Sequence, residues 1–279
     1  MTQARRSLVR FFGQWTWLLL AVGCLVCPSP AGARILKTRR VGQSGRPLSL
    51  TVGSGFEYEK DGEESEYGFP FLAEYGLTNI IKLRAEPSYI LIRKQDGGSI
   101  SGPGDLETAI TFELPTERRH RPGLALEGLV KWPTARKGDL GTGKTDYTFG
   151  AIVSKEFVQC DAEVNAAYTW TGDPPGLSLK DTFEASAAIE WHLNGRLDLM
   201  GEAVTASGAG GRFRVRNSAL GGAFANIGGP QQGQTESEFT LGIAEKSGEF
   251  LKFEQGVVIK SGGAYQLVFA WEWDFAGGR

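Results

Sequence analysis

Apolar and polar residues alternate with a period of two along the last stretch of the chain. Tyr265, Leu267, Phe269, Trp271, Trp273 and Phe275 hold the odd positions, and Gln266, Val268, Ala270, Glu272 and Asp274 the even ones. That period puts one set of side chains on each face of a β-strand. The register recurs at 160–170, where Cys160, Ala162, Val164, Ala166, Tyr168 and Trp170 alternate with Asp161, Glu163, Asn165, Ala167 and Thr169. It recurs again at 183–193, where Phe183, Ala185, Ala187, Ile189, Trp191 and Leu193 alternate with Glu184, Ser186, Ala188, Glu190 and His192. Weaker versions cover 48–58, 68–75, 79–92, 105–114, 123–132, 145–157, 196–205, 236–245 and 250–259, making twelve candidate strands. Most exceed the usual length of about five or six residues. They suit a tilted strand crossing a hydrocarbon core, which needs about nine to eleven.

The connections between these strands alternate in length. Counting from one end, 76–78, 158–159, 194–195 and 246–249 are short, whereas 59–67, 93–104, 133–144, 171–181 and 206–235 on the other side are long. Short periplasmic turns and longer outer loops mark outer-membrane barrels. Two connections depart from the rule, 115–122 being long for the inner side and 260–263 short for the outer. The Gly/Gln-rich stretch from Gly208 to Gln234 contains Arg212-Phe213-Arg214-Val215-Arg216, which reads as strand, so fourteen strands are the alternative count. The expected fold is all-β, a closed antiparallel up-and-down transmembrane barrel.

The N-terminus carries Arg5, Arg6 and Arg10, an apolar run from Phe11 to Val26 and Pro28-Ser29-Pro30 before Ala31-Gly32-Ala33. This is the pattern of a secretory signal peptide, so residues 1–33 are expected to be removed and 34–279 to form a single barrel domain. Ala21-Val22-Gly23-Cys24 also resembles a lipoprotein cleavage box, a minor alternative. Without residues 1–33 the 30 Lys+Arg fall to 27 against 32 Asp+Glu, and only Cys160 remains of the 3 cysteines. The expected mature chain is mildly acidic, lacks a basic run for nucleic acid, and cannot form an intrachain disulfide. No later segment approaches about 18 uninterrupted apolar residues, which excludes a helical membrane protein.

The residues also resemble a known family. Glu74-Tyr75-Gly76-Leu77-Thr78-Asn79, Gly104-Asp105-Leu106, Lys131-Trp132-Pro133-Thr134, Gly141-Thr142-Gly143 followed by Asp146, Ser154-Lys155-Glu156-Phe157, Asn165-Ala166-Ala167-Tyr168 and Gly201-Glu202 come in its order. The chain looks like the outer-membrane transporters named for the meta pathway of phenol degradation, over about residues 48–275. The resemblance implies a bacterial outer-membrane barrel admitting small, often aromatic, molecules. The chain departs from that family between Arg212 and Gln234, and it adds Ala276-Gly277-Gly278-Arg279 after Phe275, where a terminal aromatic is the usual assembly signal.

Few residues offer other chemistry. Gly138-Asp139-Leu140-Gly141-Thr142-Gly143-Lys144-Thr145 satisfies the phosphate-loop pattern, but Tyr147, Phe149, Ala151 and Val153 follow it as a strand where a helix is required. It reads as an outer loop. His120 lies in the basic turn Arg118-Arg119-His120-Arg121, and His192 on the polar face of its strand. His192 beside Ser186 or Ser154 would make a hydrolase; hydrogen bonding to a neighbouring acid such as Glu190 or Asp198 is the simpler reading. Two distant histidines and one cysteine give no metal-ligand spacing. The acidic stretch Glu57, Glu59, Asp61, Glu63, Glu64 and Glu66 reads as a solvated loop with weak affinity for divalent cations. No catalytic residue, metal or cofactor is expected.

The polar strand faces are the expected functional surface. Candidate lumen-lining residues are Lys82, Arg84, Glu107, Glu113, Glu127, Lys131, Asp161, Glu163, Glu184, Glu190, His192, Asp198, Glu202, Glu272 and Asp274, with Glu86, Asn165, Lys252, Glu254 and Gln266 on the same faces. Acids outnumber bases, which favours cations or neutral solutes over anions. Trp132, Tyr168, Trp170, Trp191, Trp271 and Trp273 are expected in interfacial girdles. The expected partners are the lipid bilayer of a Gram-negative outer membrane and a small-molecule solute. Alternation does not say which face points inward. A soluble periplasmic lipocalin-like carrier with an apolar interior, and a barrel plugged by ion pairs without transport, are the alternatives.

Overall fold

The computed structural model describes residues 48–61, 64–94, 96–114, 121–136, 140–173, 179–207, 215–216, 226–227, 235–247 and 251–275. The expected signal peptide, His120 with most of its basic turn, and the tail after Phe275 lie outside the described residues. The described chain is all-β. Its strands are β1 (Leu50–Asp61), β2 (Glu64–Gly76), β3 (Ile81–Glu86), β4 (Ser88–Arg93), β5 (Ser99–Pro103), β6 (Leu106–Leu114), β7 (Gly123–Trp132) and β8 (Asp146–Glu156). They continue with β9 (Cys160–Trp170), β10 (Thr182–His192), β11 (Leu197–Ser207), β12 (Val215–Arg216), β13 (Asn226–Ile227), β14 (Thr235–Ser247), β15 (Leu251–Lys260) and β16 (Tyr265–Phe275).

Twelve of these strands form a closed antiparallel ring in the order β1, β2, β3, β6, β7, β8, β9, β10, β11, β14, β15, β16. The ring closes where β1 pairs with β16 on one side, Phe56 opposite Phe269, and with β2 on the other, Thr51 opposite Glu74. Closure leaves the ring no unpaired edge. β12 and β13 make a separate two-stranded ladder, Val215 opposite Ile227, so Val215–Arg216 add nothing to the ring.

β4 and β5 prolong β3 and β6 past the ring as a hairpin on the far half of β2. β3 and β4 keep one register against β2 through Pro87, whose carbonyl accepts the Phe71 N–H at 2.9 Å. β5 and β6 do not. Glu86 faces Glu107 and Tyr89 faces Pro103, so three steps along one strand match four along the other. The extra residue at Gly104-Asp105 is a β-bulge, which shifts the inward face from even positions in β5 to odd positions in β6.

At one end of the ring the connections are 77–80, 115–122, 157–159, 193–196 and 248–250; at the other they are 62–63, 94–98, 133–145, 171–181, 208–234 and 261–264. Local side chains tie two of the short turns. The Thr78 hydroxyl accepts the Ile81 N–H at 3.0 Å, and the Asn194 side-chain oxygen accepts the Leu197 N–H at 3.0 Å. Two expectations need correction here. The stretches 59–67 and 93–104 are mostly strand, with connections of only 62–63 and 94–98. Within the acidic stretch read as a solvated loop, Glu57 and Glu59 continue the inward alternation of β1 and are buried, whereas Glu64 is exposed. Charge density marked solvation in the sequence, whereas inside a barrel it marks the inner wall.

The two faces part cleanly. Outward side chains are open to the surroundings: Trp170 is 52 % exposed, Phe149 52 % and Leu241 54 %. Inward ones are closed off: Glu127 is 0 % exposed and Lys131 1 %. Apolar residues outside and charged residues inside invert a water-soluble barrel and match a membrane-spanning one. The lipocalin-like alternative fails on this geometry. Trp132, Tyr168 and Trp170 stand outward near the end with the longer connections; Trp191, Trp271 and Trp273 stand near the other.

Candidate functional site

The inner wall is built by every second residue of the ring. Because β-strands send successive side chains to opposite faces, the polar series of each strand converges on one interior. All fifteen candidate residues project inward. Lys82, Arg84, Glu107, Glu113, Glu127, Lys131, Asp161, Glu163, Glu184, Glu190, Asp198, Glu202 and Glu272 are buried, while His192 and Asp274 are half-buried.

These side chains meet in clusters that join strands far apart in sequence. Lys82 sits 2.5 Å from Glu113 and 4.0 Å from Glu74. Arg84 spans Glu86 at 2.9 Å and Glu127 at 2.8 Å, and Glu127 also accepts the Thr111 hydroxyl at 2.7 Å. Lys131 lies 2.6 Å from Asp146 and 3.6 Å from Asp105. On the opposite wall Lys252 bridges Glu190 at 3.0 Å and Glu254 at 2.9 Å, and Lys260 reaches Glu59 at 2.6 Å and Glu238 at 3.8 Å. Gln266 donates to Glu57 at 2.9 Å, and the Thr51 hydroxyl donates to Asp274 at 2.5 Å. A buried charge is tolerated only when paired and hydrogen-bonded.

His192 shows what the histidine does. Its Nδ1 lies 2.9 Å from Asp198 and its Nε2 3.3 Å from Asp161, so both ring nitrogens face aspartates and neither faces Ser186 or Ser154. Asp198 is one of the two acids that the simpler reading named; Asp161 was not named. Glu190, His192 and Asp198 place one ligand atom each within 4.8 Å of one another, a grouping with metal-ligand spacing that the sequence did not reveal. Lys252 already pairs with Glu190 at 3.0 Å and Lys246 with Asp198 at 2.7 Å, which makes the grouping an ion-pair network rather than a metal cage.

Several inward residues were not among the candidates. Glu57 and Glu59 sat in the stretch read as loop, Asp105 and Asp146 at strand ends, and Lys246 and Lys260 beyond the marked faces. The signal for Glu57 and Glu59 was present: they extend the odd-numbered series of Thr51, Gly53 and Gly55. Asp105 had the same kind of signal: it heads the odd-numbered series of Glu107, Ala109, Thr111 and Glu113.

Between the charged clusters runs an apolar band. Ala188, Met200, Ala244, Val258, Val268 and Ala270 pack together with Leu72 against them, and Ala125, Ile152 and Ala167 form a second group. The charge balance of the wall is lopsided. Eighteen buried carboxylates, among them Glu107, Glu163, Glu184 and Glu202, compare with Lys82, Arg84 and Lys131 as the buried bases, among the described residues.

Similarity to solved structures follows the fold. An outer membrane channel from Pseudomonas putida F1 superposes with a TM-score of 0.63 at 10 % identity, covering 84 % of this chain and 98 % of that one. The NanC porin superposes with a TM-score of 0.55 at 10 % identity, covering 80 % of this chain and 98 % of that one. No protein-family profile matches the sequence, and no curated protein does.

Proposed function

We propose that this chain is an outer-membrane channel for passive movement of small solutes, with a preference for cationic or neutral molecules over anions. The observation that carries this reading is the inverted barrel: an apolar exterior sized for a bilayer encloses a wall with, among the described residues, eighteen buried carboxylates and three buried bases. The structural likeness to an outer membrane channel and a porin supports the same class. In this reading residues 1–33 direct export, the short-turn end faces the periplasm and the longer connections face outward.

The apolar band of the wall supports solutes that are themselves partly apolar. Leu72, Met200, Val258 and Val268 offer a surface without charge beside the ion-pair clusters. A small aromatic or hydrophobic molecule would slide along that band, in keeping with the resemblance to the transporters named for the meta pathway of phenol degradation. A second reading has its own observation. Inward charges are paired at 2.5 to 3.0 Å and almost inaccessible, which fits a barrel filled by its own side chains and without transport.

Proteoliposomes distinguish the two. A channel makes liposomes swell with small neutral and cationic solutes and more slowly with anions of equal size; a filled barrel gives no swelling with any of them.

A further inference from the structure

On that channel reading, we infer that Leu140–Thr142 is the size-setting constriction at the loop-bearing mouth of the barrel, and that Lys131 is the positioning residue that holds it in the lumen. Connecting segments normally run over the surface. Leu140 lies in the connection between β7 and β8, yet it is 1 % exposed. Its Cδ1 comes within 3.0 Å of where a Cβ on Gly102 would stand, and Gly102 belongs to the inward face of β5. The leucine therefore packs closely against the wall at a glycine, where an added Cβ would make it shift by a few tenths of an ångström.

The next residue is fitted as closely. A Cβ on Gly141 would stand 2.5 Å from the Ala135 Cβ and 2.7 Å from an Asp105 carboxylate oxygen, so no other residue enters without displacing the segment. Gly143 follows with a φ of 67°, in the left-handed region that glycine takes most readily. Gly141 thus serves packing, and Gly143 the turn of the backbone.

Both limbs of the connection are tied to one buried ion cluster. Lys131 Nζ donates to the Thr142 hydroxyl at 2.8 Å while sitting 2.6 Å from Asp146 and 3.6 Å from Asp105. Asp105, beside the bulge, accepts the Ala135 N–H at 3.0 Å. Asp146 also accepts the Gly172 N–H at 2.8 Å, which fastens the following connection to the same cluster. Removing the ammonium leaves two carboxylates sharing a dry mouth, and their repulsion pushes the segment outward.

The test uses the full chain with Cys24→Ser, Cys27→Ser and Cys160→Ser and a reporter thiol introduced by Leu140→Cys. A trimethylammonium methanethiosulfonate should label that thiol slowly in the refolded barrel. Lys131→Met should speed labelling at least tenfold, and Thr142→Val, which deletes only the hydroxyl, several-fold. In parallel, Lys131→Met with Leu140 retained should let proteoliposomes pass neutral sugars larger than the wild-type limit. A folded Lys131→Met or Thr142→Val barrel that labels no faster overturns the clamp, and Thr142→Val decides alone if Lys131→Met does not fold. Faster labelling with an unchanged size limit overturns the constriction role. A wild-type barrel that passes no solute while Lys131→Met passes some supports the constriction as a closing element. No solute flux in any variant rejects the channel reading, and the constriction with it, even where labelling keeps the clamp.

Discussion

Arg84 Nη2 lies 2.8 Å from Glu127 Oε1 although β6 stands between the strands that carry them. The pair bridges two rows of the inner wall, with Thr111 of β6 donating to the same carboxylate at 2.7 Å. Breaking a buried pair by deleting one partner costs about 3–5 kcal/mol, because the other charge stays behind. Glu127→Leu should therefore lower stability in a urea titration of the refolded barrel by about 3 kcal/mol. The double variant Arg84→Met/Glu127→Leu should lose less than the sum of the single losses, by about 1–3 kcal/mol. Additive losses would show that the two groups act independently.

The outward face yields a prediction of opposite chemistry. Leu241, near the middle of β14, is 54 % exposed and in this account touches lipid tails. Leu241→Arg should cost about 2–4 kcal/mol in a bilayer, the usual penalty for arginine at the midplane. Leu48, at the strand-end border, should tolerate the same change at about 0–1 kcal/mol. Folding titrations in lipid vesicles read both, and equal costs would contradict a membrane centred on the strands.

The bulge gives a third. Asp105→Ala keeps the extra residue between β5 and β6 but removes the carboxylate that stands beside it in the lumen. The substitution should release the Ala135 N–H and leave Lys131 with Asp146 as its near carboxylate. Hydrogen exchange at Ala135 should rise at least tenfold while the Leu106 to Leu114 ladder keeps its protection. Unchanged exchange at Ala135 would mean that Asp105 does not hold the connection.

Much of this architecture was legible in the alternation. Tyr265–Phe275, Cys160–Trp170 and Phe183–Leu193 announced two-faced strands, and the fifteen candidate residues all lie on the inward side. The direction of the faces was not legible, since a period of two is the same seen from either side. Glu57 and Glu59 were lost because acidic clustering imitates a solvated loop. Asp105 was passed over at the very head of its strand, although it shares the odd-numbered face of Glu107 and Glu113. The partners of His192 could be guessed only in part: Asp198 was near in sequence, while Asp161 comes from the neighbouring strand. Leu140 was hidden in a stretch whose glycines spelled a different motif.

The charge of the lumen carries the central claim, and the reversal potential of single channels in planar bilayers under a KCl gradient measures it most directly. An acid-rich lumen should conduct with potassium favoured over chloride, and with a weaker preference after Glu163→Gln or Glu184→Gln. A chloride-preferring channel, or a wild-type barrel that stays silent together with its Lys131→Met variant, would contradict it.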